Sequence, residues 1–289
     1  MSNFDLNNHV YRLLQDEPFF AALSRRIDKK VGNVPTAGVR VNDDGHFEMV
    51  YNPDFFDGLT DKQRSGVLIH EFYHLIFEHV TGRLPDALAG VMGRKPTAEE
   101  ASLFKLWNIA ADLSINYHIG AEKLPENCCI PGGPMFEDMP GDKPAEWYYD
   151  ALLKKVQEQD EGQGDNDDDG DSGDGSGSGS GSGDDDAPSR FDPDAAGQFD
   201  SHEDWHTGEL SPEEQSALDI AKERLKESLK DAAQESATKG WGTVSGSCRR
   251  EIMERITSKV DWRKVMRYFV KTSQRANKRS TPKRLNRRY

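Results

Sequence analysis

An α+β fold is predicted for this chain by three features. Two alternating segments flank an Asn-Asp-Asp-Gly turn, two long stretches each open with Thr followed three residues later by Gln or Glu, and polar residues recur every fourth position inside those stretches. The first feature is a hairpin signature. The second is a capping box, which marks where a helix begins. The third sets chemistry-bearing groups in a row on one helix face.

Taken in order, residues 5 to 30 have helical spacing, with Val10, Leu13 and Leu14, then Phe19, Phe20, Leu23 and Ile27. Pro18 marks a break between two short helices. Next, Ala37-Gly38-Val39-Arg40-Val41 and His46-Phe47-Glu48-Met49-Val50-Tyr51 form a hairpin, ended by Asn52-Pro53 because proline cannot donate to a ladder. Standing just before a chemistry-bearing helix, the hairpin either offers an exposed edge to an extended peptide or covers the helix.

Thr60-Asp61-Lys62-Gln63 opens the first long helix, which runs through the apolar stretch Val67 to His79. Within it stands His70-Glu71-Phe72-Tyr73-His74. Residues four apart on a helix point the same way, so His70 and His74 can grip one metal ion. Glu71 lies about 100° round from His70, where its carboxylate can serve as a general base without being a ligand. Zinc suits two imidazoles, one further ligand and an open position for water.

The third ligand is sought on the second long helix, opened by Thr97 with Glu100 and stopped by Gly120. Asn108, Asp112 and Asn116 form a polar stripe on a helix otherwise suited to burial. A buried carboxylate is costly unless paired or bound to metal, so Asp112 is the expected third ligand. Asn108 and Asn116 are expected to orient the histidines or Asp112. Other candidates rank lower. On a continuous helix His79 faces away from the site, and no glycine interrupts the helix to redirect it. Glu78 would have to stretch along the same axis, and His118 is on the wrong side. His79 and Arg83 are expected to tie the helix end to neighbouring structure.

Residues 128 to 144 are rich in Pro and Gly and read as a long loop. Ala145 to Gln157 reads as a closing helix, with Trp147, Tyr148, Leu152, Leu153 and Val156 as its packing face. Between Glu158 and Pro188 stand 12 acidic residues and no basic one, which nearly accounts for the net charge of −14. Such a stretch cannot form a core and reads as a self-repelling tether. Beyond it, His202-Glu203-Asp204-Trp205-His206 has too loose a spacing to specify a second metal site. Ser211-Pro212-Glu213-Glu214 opens a helix extending to about Thr238. A last helix starts near Arg249 and carries Ile252, Ile256, Val260, Trp262, Val265, Met266 and Phe269. From Arg249 to Tyr289 there are 15 Lys or Arg against three acids. The domain reading is a core over 1–157, a linker over 158–190 and a helical extension with a basic tail over 191–289.

Cys128, Cys129 and Cys248 are odd in number and two are adjacent, which argues against a disulfide framework and for a reduced compartment. There is no secretion signal at the amino terminus and no apolar run long enough to span a membrane. The expectation is a soluble, cytoplasmic protein.

With both helices in view, the chain resembles the bacterial and phage predicted metal-dependent peptidases, whose zincin-like domain normally precedes a von Willebrand factor A-like domain. The residues that carry the resemblance are Tyr51-Asn52-Pro53, His70-Glu71-Phe72-Tyr73-His74 with His79 and Arg83, and Asn108-Ile109-Ala110-Ala111-Asp112 with Asn116. Trp205 in its His202-Glu203-Asp204 context, Val260-Asp261-Trp262-Arg263 and Asn286-Arg287-Arg288 complete it. The resemblance implies a zincin-like core, metal ligands at His70 and His74, a catalytic Glu71, and a ligand or supporting role for Asp112. It also implies work beside a MoxR-type AAA+ ATPase in some relatives. The chain stops about where the von Willebrand-like domain would begin.

Two functions from different classes follow. One is a zinc-dependent endopeptidase acting on a protein or peptide, with Arg83, Tyr73 or His118 stabilising the oxyanion. The other is a metal-stabilised adaptor whose basic tail binds a partner, nucleic acid included.

Overall fold

The computed structural model describes residues 4–89, 91, 94–126, 128–161, 193 and 211–257 of the 289. Two short helices, α1 (Val10–Leu13) and α2 (Pro18–Ser24), lead into strand β1 (Asp28–Val31). The hairpin strands β2 (Ala37–Val41) and β3 (Phe47–Tyr51) follow, then the short helix α3 (Pro53–Gly58) and the long α4 (Asp61–Ile76). Next come α5 (Asp86–Ala89), α6 (Ala98–Ile119) and α7 (Ala145–Glu161). The last described elements are α8 (Pro212–Lys239) and α9 (Gly246–Ile256). Over the described residues the protein is thus mixed α+β, helix-rich with one small sheet.

The sheet has the order β1-β3-β2. β2 pairs antiparallel with β3, from Ala37 opposite Tyr51 to Val41 opposite Phe47. β1 pairs parallel with β3, from Asp28 opposite Glu48 to Val31 opposite Tyr51. β1 replaces the helical continuation expected up to Lys30. Its residues are almost all exposed, so no apolar alternation marks it. Its start is tied back to the end of α2 and the residues just after it, where the Lys29 ammonium donates to the carbonyls of Ser24 (2.5 Å) and Ile27 (2.7 Å). β3, the strand nearest the site helix in sequence, is therefore the central strand, buried along its whole length. Of the two readings of the hairpin, an open edge for an extended peptide is absent at β3, since both its edges are taken.

Both long helices begin as their sequences dictate. Thr60 Oγ1 accepts from Gln63 N–H while Gln63 Oε1 accepts from Thr60 N–H (3.0 Å), and Thr97 and Glu100 do the same at the head of α6. Gly66 lets α4 approach the turn after α6: a Cβ there would lie 1.8 Å from the Lys123 carbonyl oxygen.

Two apolar cores meet along α6. One joins α2, the sheet, α4, Ile115, Ile119 and the inner faces of α8 and α9. The other packs α6 from Phe104 to Leu113 on α5, Phe136, Met139 and α7. The buried row Ala217, Ala221, Leu225, Leu229, Ala232, Ala233 and Ser236 turns one face of α8 onto the first core. Asp112 and Asn116 sit on α6 where the two cores meet, opposite α4. Among the described residues no helix is long and apolar enough to cross a membrane.

Candidate metal centre

His70 and His74 project from one face of α4, and Asp112 meets them from α6. The Nε2 atoms of the two histidines are 2.8 Å apart. Asp112 Oδ1 lies 3.7 Å from His70 Nε2 and 3.4 Å from His74 Nε2. The three groups can each offer one ligand atom with all three atoms within 4.8 Å of one another, and all are fully buried. The structure thus brings together the three side chains that the sequence proposes as ligands.

The hydrogen bonds behind the rings decide which nitrogens face inward. Asn116 Nδ2 donates to the Cys129 carbonyl at 2.9 Å, which turns its Oδ1 towards His70 Nδ1 at 2.8 Å. That nitrogen is therefore the donor, and His70 Nε2 presents a lone pair to the cluster. Two imidazoles and a carboxylate form a donor set suited to zinc. Electron-rich atoms gathered this closely away from water fit a cation among them. The residues present fit a metal ion. Glu71, next to His70 on α4, is also fully buried.

Asn116 has the supporting part expected of the polar stripe. Asn108, half-buried four residues before Asp112, hydrogen-bonds none of the three cluster residues. The Cys129 carbonyl is a partner the sequence does not signal, because a backbone acceptor carries no residue type.

His79 departs from expectation. The helix does not run on to it: α4 ends at Ile76, and Glu78 takes a left-handed conformation with φ +63°. Glu78 N–H donates to the Leu75 carbonyl at 3.0 Å and His79 N–H to the His74 carbonyl at 2.9 Å. This pair of bonds is a Schellman cap, which lays the residue after the turn back over the last full turn of helix. His79 is consequently fully buried, its Nδ1 3.1 Å from His74 Nδ1 and its ring edge-on to Trp107. No glycine was needed, since a glutamate occupies the left-handed position. Glu78 turns outward to pair with Arg255 at 3.2 Å, which takes it away from the cluster.

The groups proposed for oxyanion stabilisation have partners elsewhere. Arg83 grips Glu146 with two hydrogen bonds of 2.7 and 2.8 Å and lies 3.6 Å from Glu251, tying the end of α4 to α7 and α9. Tyr73 is buried and hydrogen-bonded to Cys248, and burial raises its pKa well above the ordinary range. His118 lies beside Tyr73 and Phe77, 3.4 Å from Ser245 Oγ, in a cleft of about 210 Å3 that Arg83, Asp142 and Glu251 also line. Burial lowers its pKa against the pull of Asp142 and Glu251. None of the three cysteines is in a disulfide. Residues 202–206, most of the acidic stretch and the segment from 258 on lie outside the described residues.

Over residues 3–289 the chain matches the family described as "Putative metallopeptidase domain", and it belongs to that family. It is similar to an "Uncharacterized protein" of Thermotoga maritima, 24% identical over 258 residues, which are 85% of this chain and 53% of that protein. The chain thus spans about half the length of the curated relative it matches. No solved structure matches it.

Proposed function

We propose, from membership of this metallopeptidase family, that the protein is a zinc endopeptidase with a zincin-like core. In this reading His70 Nε2, His74 Nε2 and the Asp112 carboxylate hold the ion, and Glu71 is the general base. The observation that carries the reading is the convergence of these three side chains, from two helices, with His70 Nδ1 already engaged and its Nε2 turned inward.

When bound, zinc would polarise a carbonyl and lower the pKa of water, and a peptide bond is the proposed substrate. The chain's own groups divide the remaining work. Asn116 keeps His70 in one tautomer. Asp112 supplies negative charge to the ligand set. Glu71 takes the proton from the attacking water and hands it to the leaving amine. An extended protein segment is the proposed substrate, and a MoxR-type ATPase the proposed partner for delivering it.

A second reading is favoured by one observation: His70, Glu71, His74 and Asp112 are all fully buried. Exclusion of water suits a structural metal, whose usual four protein ligands leave no open position, so the ion would join α4 to α6 in an adaptor. Metal analysis of the wild type, His74→Ala and Asp112→Ala, each checked for folding, comes first. About one zinc per chain, lost from both folded variants, supports a three-ligand site. Cleavage of an unfolded labelled protein then separates the two readings. Glu71→Gln should keep zinc and lose cleavage; a variant that still cleaves rules out the base, and a wild type that holds zinc yet cleaves nothing favours the adaptor.

A further inference from the structure

We infer that His79 is a positioning residue for His74: its Nδ1 accepts the His74 Nδ1 proton and so turns the His74 Nε2 lone pair into the metal cluster. This inference rests on the metal reading above and deepens it. Three observations carry it.

The first is distance and burial. His79 Nδ1 is 3.1 Å from His74 Nδ1, and both rings are fully buried. Two imidazole nitrogens at that separation share one proton between them, so one donates and one accepts. If His79 donated, the His74 proton would sit on Nε2 and point at His70 Nε2, 2.8 Å away, where the ion is to lie. With His74 as donor, both Nε2 lone pairs converge, as the Asn116 contact already imposes on His70. The two ligands are then treated alike, one held by an amide oxygen from α6 and the other by an imidazole nitrogen from the end of its own helix.

The second is the turn that places the ring. A Schellman cap brings the second residue past the helix end over the residue five positions earlier, usually as an apolar contact. Here that pair is His79 and His74, so the cap's packing contact is an imidazole–imidazole hydrogen bond. The left-handed residue is Glu78, which bears a side chain where glycine is usual. The third is bracing. Glu78 pairs with Arg255 on α9, and Arg255 with Glu251 at 2.8 Å. Arg83, four residues after His79, is held by Glu146 on α7. Trp107 packs edge-on against the His79 ring with centroids 5.8 Å apart. The turn is thus fixed on both sides and the ring is clamped from a third.

The test compares the full-length wild type with His79→Leu and His79→Asn, reading zinc affinity by chelator competition and the visible spectrum of the cobalt-substituted protein. Leucine fills the space but accepts nothing, whereas asparagine keeps an accepting oxygen at about the place of Nδ1. His79→Leu should bind zinc roughly 10- to 100-fold more weakly, the range for lost supporting partners of a metal ligand, and shift the cobalt spectrum. His79→Asn should recover most of both. Wild-type affinity and spectrum in a cooperatively melting His79→Leu overturns the inference while leaving the metal reading intact. Loss of zinc from the asparagine variant to the same degree as from the leucine variant also overturns it, and points to His79 as a ligand. Should the leucine variant not fold, the asparagine variant decides alone: affinity within about threefold of wild type supports the inference, and a tenfold loss overturns it. No zinc in the wild type removes the metal reading and this inference with it.

Discussion

Replacing Asn116 by Asp changes one donor group and almost no volume, which makes it a sharp probe of the site's scaffold. Asn116 is fully buried and uses both ends of its amide. The oxygen takes the His70 Nδ1 proton at 2.8 Å and the nitrogen donates to the Cys129 carbonyl at 2.9 Å. Aspartate keeps the first contact and inverts the second, setting a carboxylate oxygen against a carbonyl oxygen. The lost bond is worth about 1 kcal/mol, and the stranded buried acceptor costs a further 1–3 kcal/mol or so. Asp112, one turn away on the same helix face, adds like-charge repulsion of the same sign. A loss of about 2–4 kcal/mol in metal-free protein is expected, or a melting temperature lower by roughly 4–16 °C at about 2–4 °C per kcal/mol for a chain of this size. Differential scanning calorimetry in the presence of a chelator measures it. Zinc should restore part of the loss, because the retained contact still orients His70. An unchanged melting temperature in metal-free protein would refute the reasoning, since the amide could not then be donating to Cys129.

The other expectations concern packing, the turn and pH. Gly66→Ala should destabilise by up to roughly 2 kcal/mol, because crowding of about 1–3 kcal/mol is set against a gain of about 1 kcal/mol from better helix propensity. The added Cβ meets the Lys123 carbonyl oxygen at 1.8 Å, and a denaturant midpoint at or above wild type would contradict that. Glu78→Gly should hold or raise stability, since about 1 kcal/mol of left-handed strain is relieved against an exposed ion pair worth about as much or less. Glu78→Val should lower it, and a reversed order of the two melting points would be against the cap. Burial lowers the Lys29 pKa from 10.5 to about 8. Between those values the folded protein has released the proton that the unfolded chain still binds, so stability rises with pH across that window. Denaturant titrations at pH 8 and 10 should show wild type gaining on Lys29→Met, and parallel curves would rule this out.

What the sequence disclosed depended on whether the signal was periodic. Capping boxes, alternation about an Asp-Gly turn and a four-residue polar stripe are local patterns repeated over several residues, and the elements they mark are present: β2 and β3, α4 and α6, with α8 opened by Ser211. β1 has no such period, because three of its four residues are exposed and its one partly buried residue is Lys29, while parallel pairing is a long-range choice. His79 was misplaced for a different reason. Helix ends were read from glycine, and this helix ends on a glutamate whose side chain finds Arg255, a partner more than 170 positions away. The one local sign was the drop in apolar content after Phe77, in Glu78-His79-Val80-Thr81-Gly82. Cys129 could not be foreseen at all, since its role belongs to its carbonyl.

These misreadings concern the surroundings of the cluster and not its members, and the reason is chemical. His70, His74 and Asp112 must carry particular atoms, so their types and spacing leave a trace in the sequence. Their supports need only an acceptor or a turn, and many residues supply either. Glu71, buried beside His70 on α4, belongs with the first group, because the general-base role proposed for it needs a carboxylate at that position. The use proposed for it requires water to reach a site that is fully buried. The nearest breaks in regular structure are the loop through Cys128 and Cys129, which holds Asn116, and the turn at Glu78, which holds His79. Each support of the proposed ligands thus lies where the backbone leaves regular structure.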